Sequence, residues 1–146
     1  MTDVTIRKGK VSDASRLAEL SEMLGYPVEP EAIKGRFERL SMRPDHVVLV
    51  AEVSPNLVVG WIHAAEHDIL EAGSFCEILG LVVAVNQRGK GIGRRLLAQV
   101  ERWAAERGLR EVSVRSNVTR AESHPFYEGL GFLRVKTQHA YRKRIP

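Results

Sequence analysis

The chain has one cysteine, Cys76, among its 146 residues, so no internal disulfide can form. That excludes the disulfide-stapled secreted scaffolds and fits a reducing compartment, with the cytoplasm as the expected location. No apolar run approaches the ~20 residues that span a bilayer. The opening MTDVTIRKGK has no signal-peptide core. Repeats, low-complexity tracts and linkers are also missing, so the expectation is one domain over residues 1–146.

What is present is ordinary in bulk. Hydrophobic residues make up 44% and charged residues 27% of the chain, as in a globular domain that buries about two-thirds of its unfolded surface. The net charge is +4, and the basic residues are dispersed apart from Arg142-Lys143-Arg144. A modest positive balance serves a phosphorylated small molecule as well as it serves nucleic acid. The expected partners are therefore small molecules, with neither nucleic acid nor membrane.

The most informative stretch runs from Glu77 to Leu97. Ile78 to Val85 is an apolar run rich in β-branched residues, suited to one buried strand. Asn86-Gln87 breaks it, and Arg88-Gly89-Lys90-Gly91-Ile92-Gly93 follows. Ile92, Leu96, Val100 and Ala104 then recur on one helical face, predicting a helix over 91–107. In a strand, glycine loop and helix, loop N–H groups and a helix N-terminus converge on an anion. No acidic residue follows until Glu101, while Arg94 and Arg95 occupy the first turn. Cations at that end oppose the helix dipole by roughly 0.3–1 kcal/mol each, which makes sense if a polyanion such as a diphosphate binds. A plain tight turn with solvated arginines stays open on these residues alone. Two known phosphate loops are excluded. A G-x-G-x-x-G fingerprint from Gly91 would need glycine where Leu96 stands, and no G-x-x-x-x-G-K-[ST] run exists.

Elsewhere the patterns are conventional. Val4 to Arg7 alternates as a strand, and Ser12-Asp13 offers a cap to a helix carrying Ala14, Leu17, Ala18, Leu20 and Leu24. Residues 29–42 read as a second helix. A hairpin is expected from strands 46–53 and 57–67 around Ser54-Pro55-Asn56, with Trp61, His63 and Ala65 on one face. Residues 68–74 read as a loop, 111–116 as a strand, 117–122 as a polar connection. A short helix follows from Ser123, and Phe132 to Arg144 closes as one or two strands. His63 and His67 lie ~13 Å apart along a strand, too far to share a metal ion, and no metal site is expected.

A second motif sharpens this picture. Asn117-Val118-Thr119-Arg120, Ser123-His124-Pro125-Phe126-Tyr127 and Gly131-Phe132 resemble the pattern N-x-x-R-x-x-A-H-x-F-Y-x-x-x-G-F of the GNAT N-acetyltransferase superfamily. Ser123 replaces its alanine. Leu81-Val82-Val83 and Arg88 to Gly93 are similar to the preceding strand and pyrophosphate loop of that family, without the proline often found at Val85. The resemblance implies an α/β (α+β) fold: a mixed, mostly antiparallel twisted sheet of six or seven strands. About four helices flank it, and its central strands splay apart.

The resemblance further implies a cosubstrate, acetyl-coenzyme A, and an activity: acetyl transfer to a primary amine by direct attack through a tetrahedral intermediate. Main-chain groups of Leu81, Val82 and Val83 would meet the pantetheine arm. Amides from Arg88 through Gly89, Lys90, Gly91, Ile92 and Gly93 to Arg94 would hold the diphosphate, and Asn117 would bond the pantetheine side or order its loop. Tyr127 is the implied acid for the departing thiolate, since a phenol of pKa ~10 can donate to a thiolate of ~8.5. Glu77 matches a strand carboxylate that serves some members as general base. A salt-bridged structural carboxylate is its plain alternative, as a packed aromatic is for Tyr127. The expected acceptor is a small-molecule amine. Protein lysine or N-terminal acetylation and a non-catalytic coenzyme A module stay open, as does a homodimer.

Overall fold

Alternating apolar residues draw Val4–Lys8 into β1, which pairs antiparallel with β2 (His46–Val53). The computed structural model describes residues 3–23, 25–53, 56–116 and 123–146. They divide into two units, 1–114 and 115–146. In the first unit β1 leads to a 3₁₀ turn, Val11–Asp13, and α1 (Ala14–Met23). Asp13, expected as a cap ahead of the helix, caps instead from inside that turn by accepting the Lys10 N–H at 2.7 Å. It also pairs with Arg7 at 2.9 Å, and Arg7 reaches Glu52 at 3.1 Å. Burial alone would push the Asp13 carboxyl up, but the Arg7 hydrogen bonds win and hold it below the usual range.

The expected apolar face of α1 is buried through Ala14, Leu17, Ala18 and Leu20. Leu24 lies outside the described residues. Gly25, at φ +83°, ends the helix, and the Tyr26 N–H closes on the Ser21 carbonyl at 3.0 Å. The second helix, α2 (Pro30–Ser41), is entered by a proline whose missing N–H costs nothing there, and it buries Phe37.

β2, β3 (Leu57–Ile69) and β4 (Gly73–Val83) form an antiparallel meander. Ser54 and Pro55 of the expected first turn lie outside the described residues. The second connection differs from expectation. Pairing continues through Asp68↔Ser74 and Ile69↔Gly73, so the loop shrinks from 68–74 to 70–72. Polar Asp68 and Ser74 sit at an exposed hairpin end, where a ladder needs no apolar residues.

The ladder slips between His63 and Ala64, and Leu79 is the unpaired extra residue of a β-bulge. The next residue, Gly80, is overlaid by the Trp61 ring. β5 (Val112–Val114) then pairs parallel with β4 through Cys76↔Val112, Glu77↔Ser113 and Ile78↔Val114. It is shorter than the expected 111–116. The five strands of the described residues stand in sequence order, β1-β2-β3-β4-β5.

Between β4 and β5 runs α3 (Ile92–Glu106), which buries Ile92, Leu96, Leu97, Val100 and Ala104 against the sheet. The four branched side chains among them each contribute about 1.5–3 kcal/mol on full burial. Gly60 of β3 faces Ile92 and Leu96 closely, where any larger residue would press on them. Arg107 ties the helix end to Glu66 of β3 at 2.8 Å.

The second unit contains α4 (Ser123–Gly129), closed by Gly131 at φ +93° and by the Phe132 N–H on the Tyr127 carbonyl at 3.1 Å. Residues 133–146 carry no strand, which corrects the six or seven strands expected to five among the described residues. A strand exists only as half of a ladder. Leu133 and Val135, within the span expected to close as one or two strands, are each 85% exposed.

Candidate active site

The edge of β4 changes character at Ile78. From Cys76 to Ile78 β4 is paired on both sides; from Gly80 to Val83 it has a partner only in β3 among the described residues. The Ala84 N–H donates to the Val59 carbonyl at 2.8 Å. Antiparallel alternation then turns the main-chain groups of Val82 toward β3 and those of Leu81 and Val83 outward. Two contacts agree: the Val82 carbonyl lies 3.0 Å from where a Gly60 Cβ would sit, and Arg88 Nε reaches back to the Val83 carbonyl at 3.4 Å. Among the described residues, Leu81 and Val83 therefore have no strand partner on their outer side. Val82, grouped with them from sequence, spends its polar groups inside the sheet.

Past Val83 the chain makes a 3₁₀ turn, Val85–Gln87, and enters the glycine loop. Gly89 and Gly91 both adopt left-handed backbone, φ +78° and +79°, and among the described residues nothing beyond their chain neighbours lies within 4 Å of a Cβ built on either. Gly91 is the N-cap of α3; no side chain caps that end, and its first turn holds no acid. Left-handed glycines before an uncapped helix start produce a concavity of N–H groups suited to anions. Arg88, Lys90 and Arg94 are exposed around it. Arg95 is not part of the set: its Nη1 donates to the Val4 carbonyl at 2.7 Å and ties α3 to β1.

Glu77 lies one pair before the open edge begins and is only 9% exposed. It stands opposite Ala65, so it shares a sheet face with His63 and His67 of β3. His67 Nε2 is 2.8 Å from Glu77 Oε1, and the His67 ring tilts against Phe75. That pairing was missed from sequence; a shorter turn after His67 would have revealed the register. His63 is not free to line an acceptor pocket by itself. Its ring stacks on His46 with Nε2 and Nδ1 2.9 Å apart, and burial, then the charge of His46, lowers its pKa to about 4. Cys76 points to the opposite face from Glu77 and is fully buried, its thiol pushed up to about 11 by burial and then by Glu66 and Glu77. It is a packing residue. No cluster of three or more metal-binding side chains occurs among the described residues.

Tyr127 belongs to the second unit, where its ring meets Phe126 and Phe132 edge-on at 5.2 and 5.7 Å. Asn117 lies outside the described residues.

A sequence profile of the acetyltransferase (GNAT) family matches residues 14–132. The chain belongs to this family. Its activity class, acetyl transfer, and its cosubstrate, acetyl-coenzyme A, stand with that membership. It is 31% identical over 140 residues to glucosamine 6-phosphate N-acetyltransferase 1 of Oryza sativa subsp. japonica, covering 91% of this chain and 83% of that one. It is 27% identical over 146 residues to the aminoglycoside N(6')-acetyltransferase type 1 of Stenotrophomonas maltophilia, covering 97% and 93%. In fold it is similar to AAC(6')-Iy in complex with a bisubstrate analogue, CoA-S-monomethyl-acetylneamine. There the TM-score is 0.86 at 21% identity, over 98% of this chain and 99% of the other.

The left-handed glycine pair and the uncapped helix end fit a diphosphate such as that of coenzyme A. The extended edge at Leu81 and Val83 fits an arm bearing amide groups.

Proposed function

We propose that this protein transfers the acetyl group of acetyl-coenzyme A to the primary amine of a small molecule, with amino sugars as the acceptor class. Aminoglycosides and glucosamine 6-phosphate, the substrates named in its relatives, share an amine carried on a sugar. The observation that carries the reading is the continuity of the open edge at Leu81 and Val83 with the uncapped, acid-free glycine loop.

In this reading the amides of residues 88–94, with Arg88, Lys90 and Arg94, hold the diphosphate. Leu81 and Val83 receive the pantetheine arm as an added strand would be received. Asn117 keeps its role beside that arm on motif grounds. Bound acetyl-coenzyme A supplies the thioester. The Val83 N–H is aimed at the carbonyl oxygen, where a donor matters most as negative charge develops. Glu77 takes the proton of the acceptor amine, directly or through water, and Tyr127 donates to the leaving sulfur.

Two measurements test this. Coenzyme A should raise the melting temperature, by the equivalent of ~2.7 kcal/mol at a hundredfold excess over its Kd. Thiol release from acetyl-coenzyme A should then be screened over amino sugars, polyamines, amino acids and lysine peptides. Turnover confined to lysine peptides would overturn the acceptor class, and no thermal shift at millimolar coenzyme A would overturn the binding site.

A further inference from the structure

The acetyl transfer assigned above releases one proton per amine acetylated, and the carboxylate assigned to take it is nearly enclosed. The Glu77 side chain is 11% exposed, whereas its partner His67 is 36% exposed. Antiparallel register produces this arrangement. Glu77 faces Ala65, and His67, two residues along β3, reaches diagonally to Oε1 at 2.8 Å. Phe75, directly opposite His67, stands against its ring with centroids 5.5 Å apart.

We propose that His67 is the proton outlet of Glu77. The proposal rests on the reading of Glu77 as the base. The acceptor ammonium gives one proton to the Glu77 carboxylate and leaves a free amine. The carboxyl proton passes from Oε1 to Nε2 of His67. The proton on Nδ1 leaves to water, which leaves a neutral ring with Nε2–H donating to the restored carboxylate. That is also the resting pair: once the amine has protonated the carboxyl, solvent exchange moves the ring proton from Nε2 to Nδ1, and Nε2 is then ready to accept. The balance per turnover is one ammonium and one thioester converted to one amide, one thiol and one proton in solution.

Among the described residues around the pair, the other ionisable groups are engaged elsewhere. His63, on the same face, is bonded to His46 and held neutral by burial. His46, from β2, feels the charge of His67 and is itself lowered, chiefly by burial. Glu66 and Asp68, the chain neighbours of His67, point to the other face and are bonded to Arg107 and Ser74. Cys76, beside Glu77 in the chain, faces away and keeps its proton.

Three variants and one spectrum test the proposal on the full chain. His67→Ala should lose 10- to 100-fold in kcat with the KM for the acceptor and the thermal shift by coenzyme A unchanged. Added imidazole should restore kcat with saturation, while sodium chloride of equal ionic strength should not. His67→Gln, which fills the space and keeps a hydrogen-bond donor, should be as slow as His67→Ala and resist rescue. Wild-type turnover in His67→Gln would show that a donor suffices and would overturn the outlet. So would a loss in His67→Ala that imidazole does not repair. Independently of activity, the ring nitrogen resonances of His67 in ¹⁵N spectra should shift in Glu77→Gln. Unmoved resonances would dissolve the pair even if no acceptor had been found. Absence of turnover in the wild type, with those resonances shifting, would instead count against the function assigned to the site.

Discussion

The indole of Trp61 lies over Gly80 so closely that a Cβ at Gly80 would stand 2.7 Å from its Cζ3 and Cη2. The bulge at Leu79 sets this contact by displacing the β4 backbone just where its outer partner ends. Gly80→Ala should therefore force the indole aside and destabilise the fold by about 1–3 kcal/mol. Urea unfolding measures the cost, and combining it with Trp61→Leu, which vacates the space, should recover most of it. An additive pair of losses would mean the two residues are not in conflict.

The stacked pair His46 and His63 makes stability depend on acid. His63 titrates at about 4 in the folded chain against 6.5 for an ordinary histidine, because burial disfavours its charged form. Between those values the unfolded chain binds more protons, so stability falls as pH drops from about 6.5 to about 4. The loss from this residue is at most about 3 kcal/mol. Urea melts at pH 7, 5.5 and 4 should show the decline, and His63→Gln should flatten most of it. An unchanged slope in that variant would place the acid sensitivity elsewhere.

Much of the site was legible because its signals are local. Gly89, Gly91 and the uncapped start of α3 are written in six consecutive residues, and the buried stripe from Ile92 to Ala104 follows from helical period. What escaped depends on register. Asp68 and Ser74 look like loop residues because an exposed hairpin end can be polar. Without that hairpin nothing in the sequence brings His67 to Glu77. His46 meets His63 for the same non-local reason. Arg95 misled because composition shows a cation but not the Val4 carbonyl that claims it.

Gly91→Ala separates the two uses of that glycine. A left-handed backbone, φ +79°, costs a residue with a Cβ roughly 1–2 kcal/mol. Among the described residues, no atom beyond its chain neighbours lies within 4 Å to clash with it. Loss of the coenzyme A thermal shift beyond that cost must then come from the methyl group entering ligand space. A variant with lowered melting temperature and an intact thermal shift would move the diphosphate away from this loop.

Tyr127→Phe removes one oxygen and keeps the ring that packs edge-on against Phe126 and Phe132. If the hydroxyl donates to the leaving sulfur, kcat should fall 10²–10⁴-fold, the usual worth of a positioned proton donor. The thermal shift by coenzyme A should stay as it is, since the hydroxyl acts on the reacting atoms. A structural hydroxyl would behave otherwise: its loss costs about 0.5–1.5 kcal/mol of stability and little rate. The ring contacts survive in both cases, so a change in rate cannot be blamed on lost packing. Melting temperature and steady-state rate on this one variant therefore decide between the two roles. A lowered melting temperature with an intact rate would retire Tyr127 as the acid.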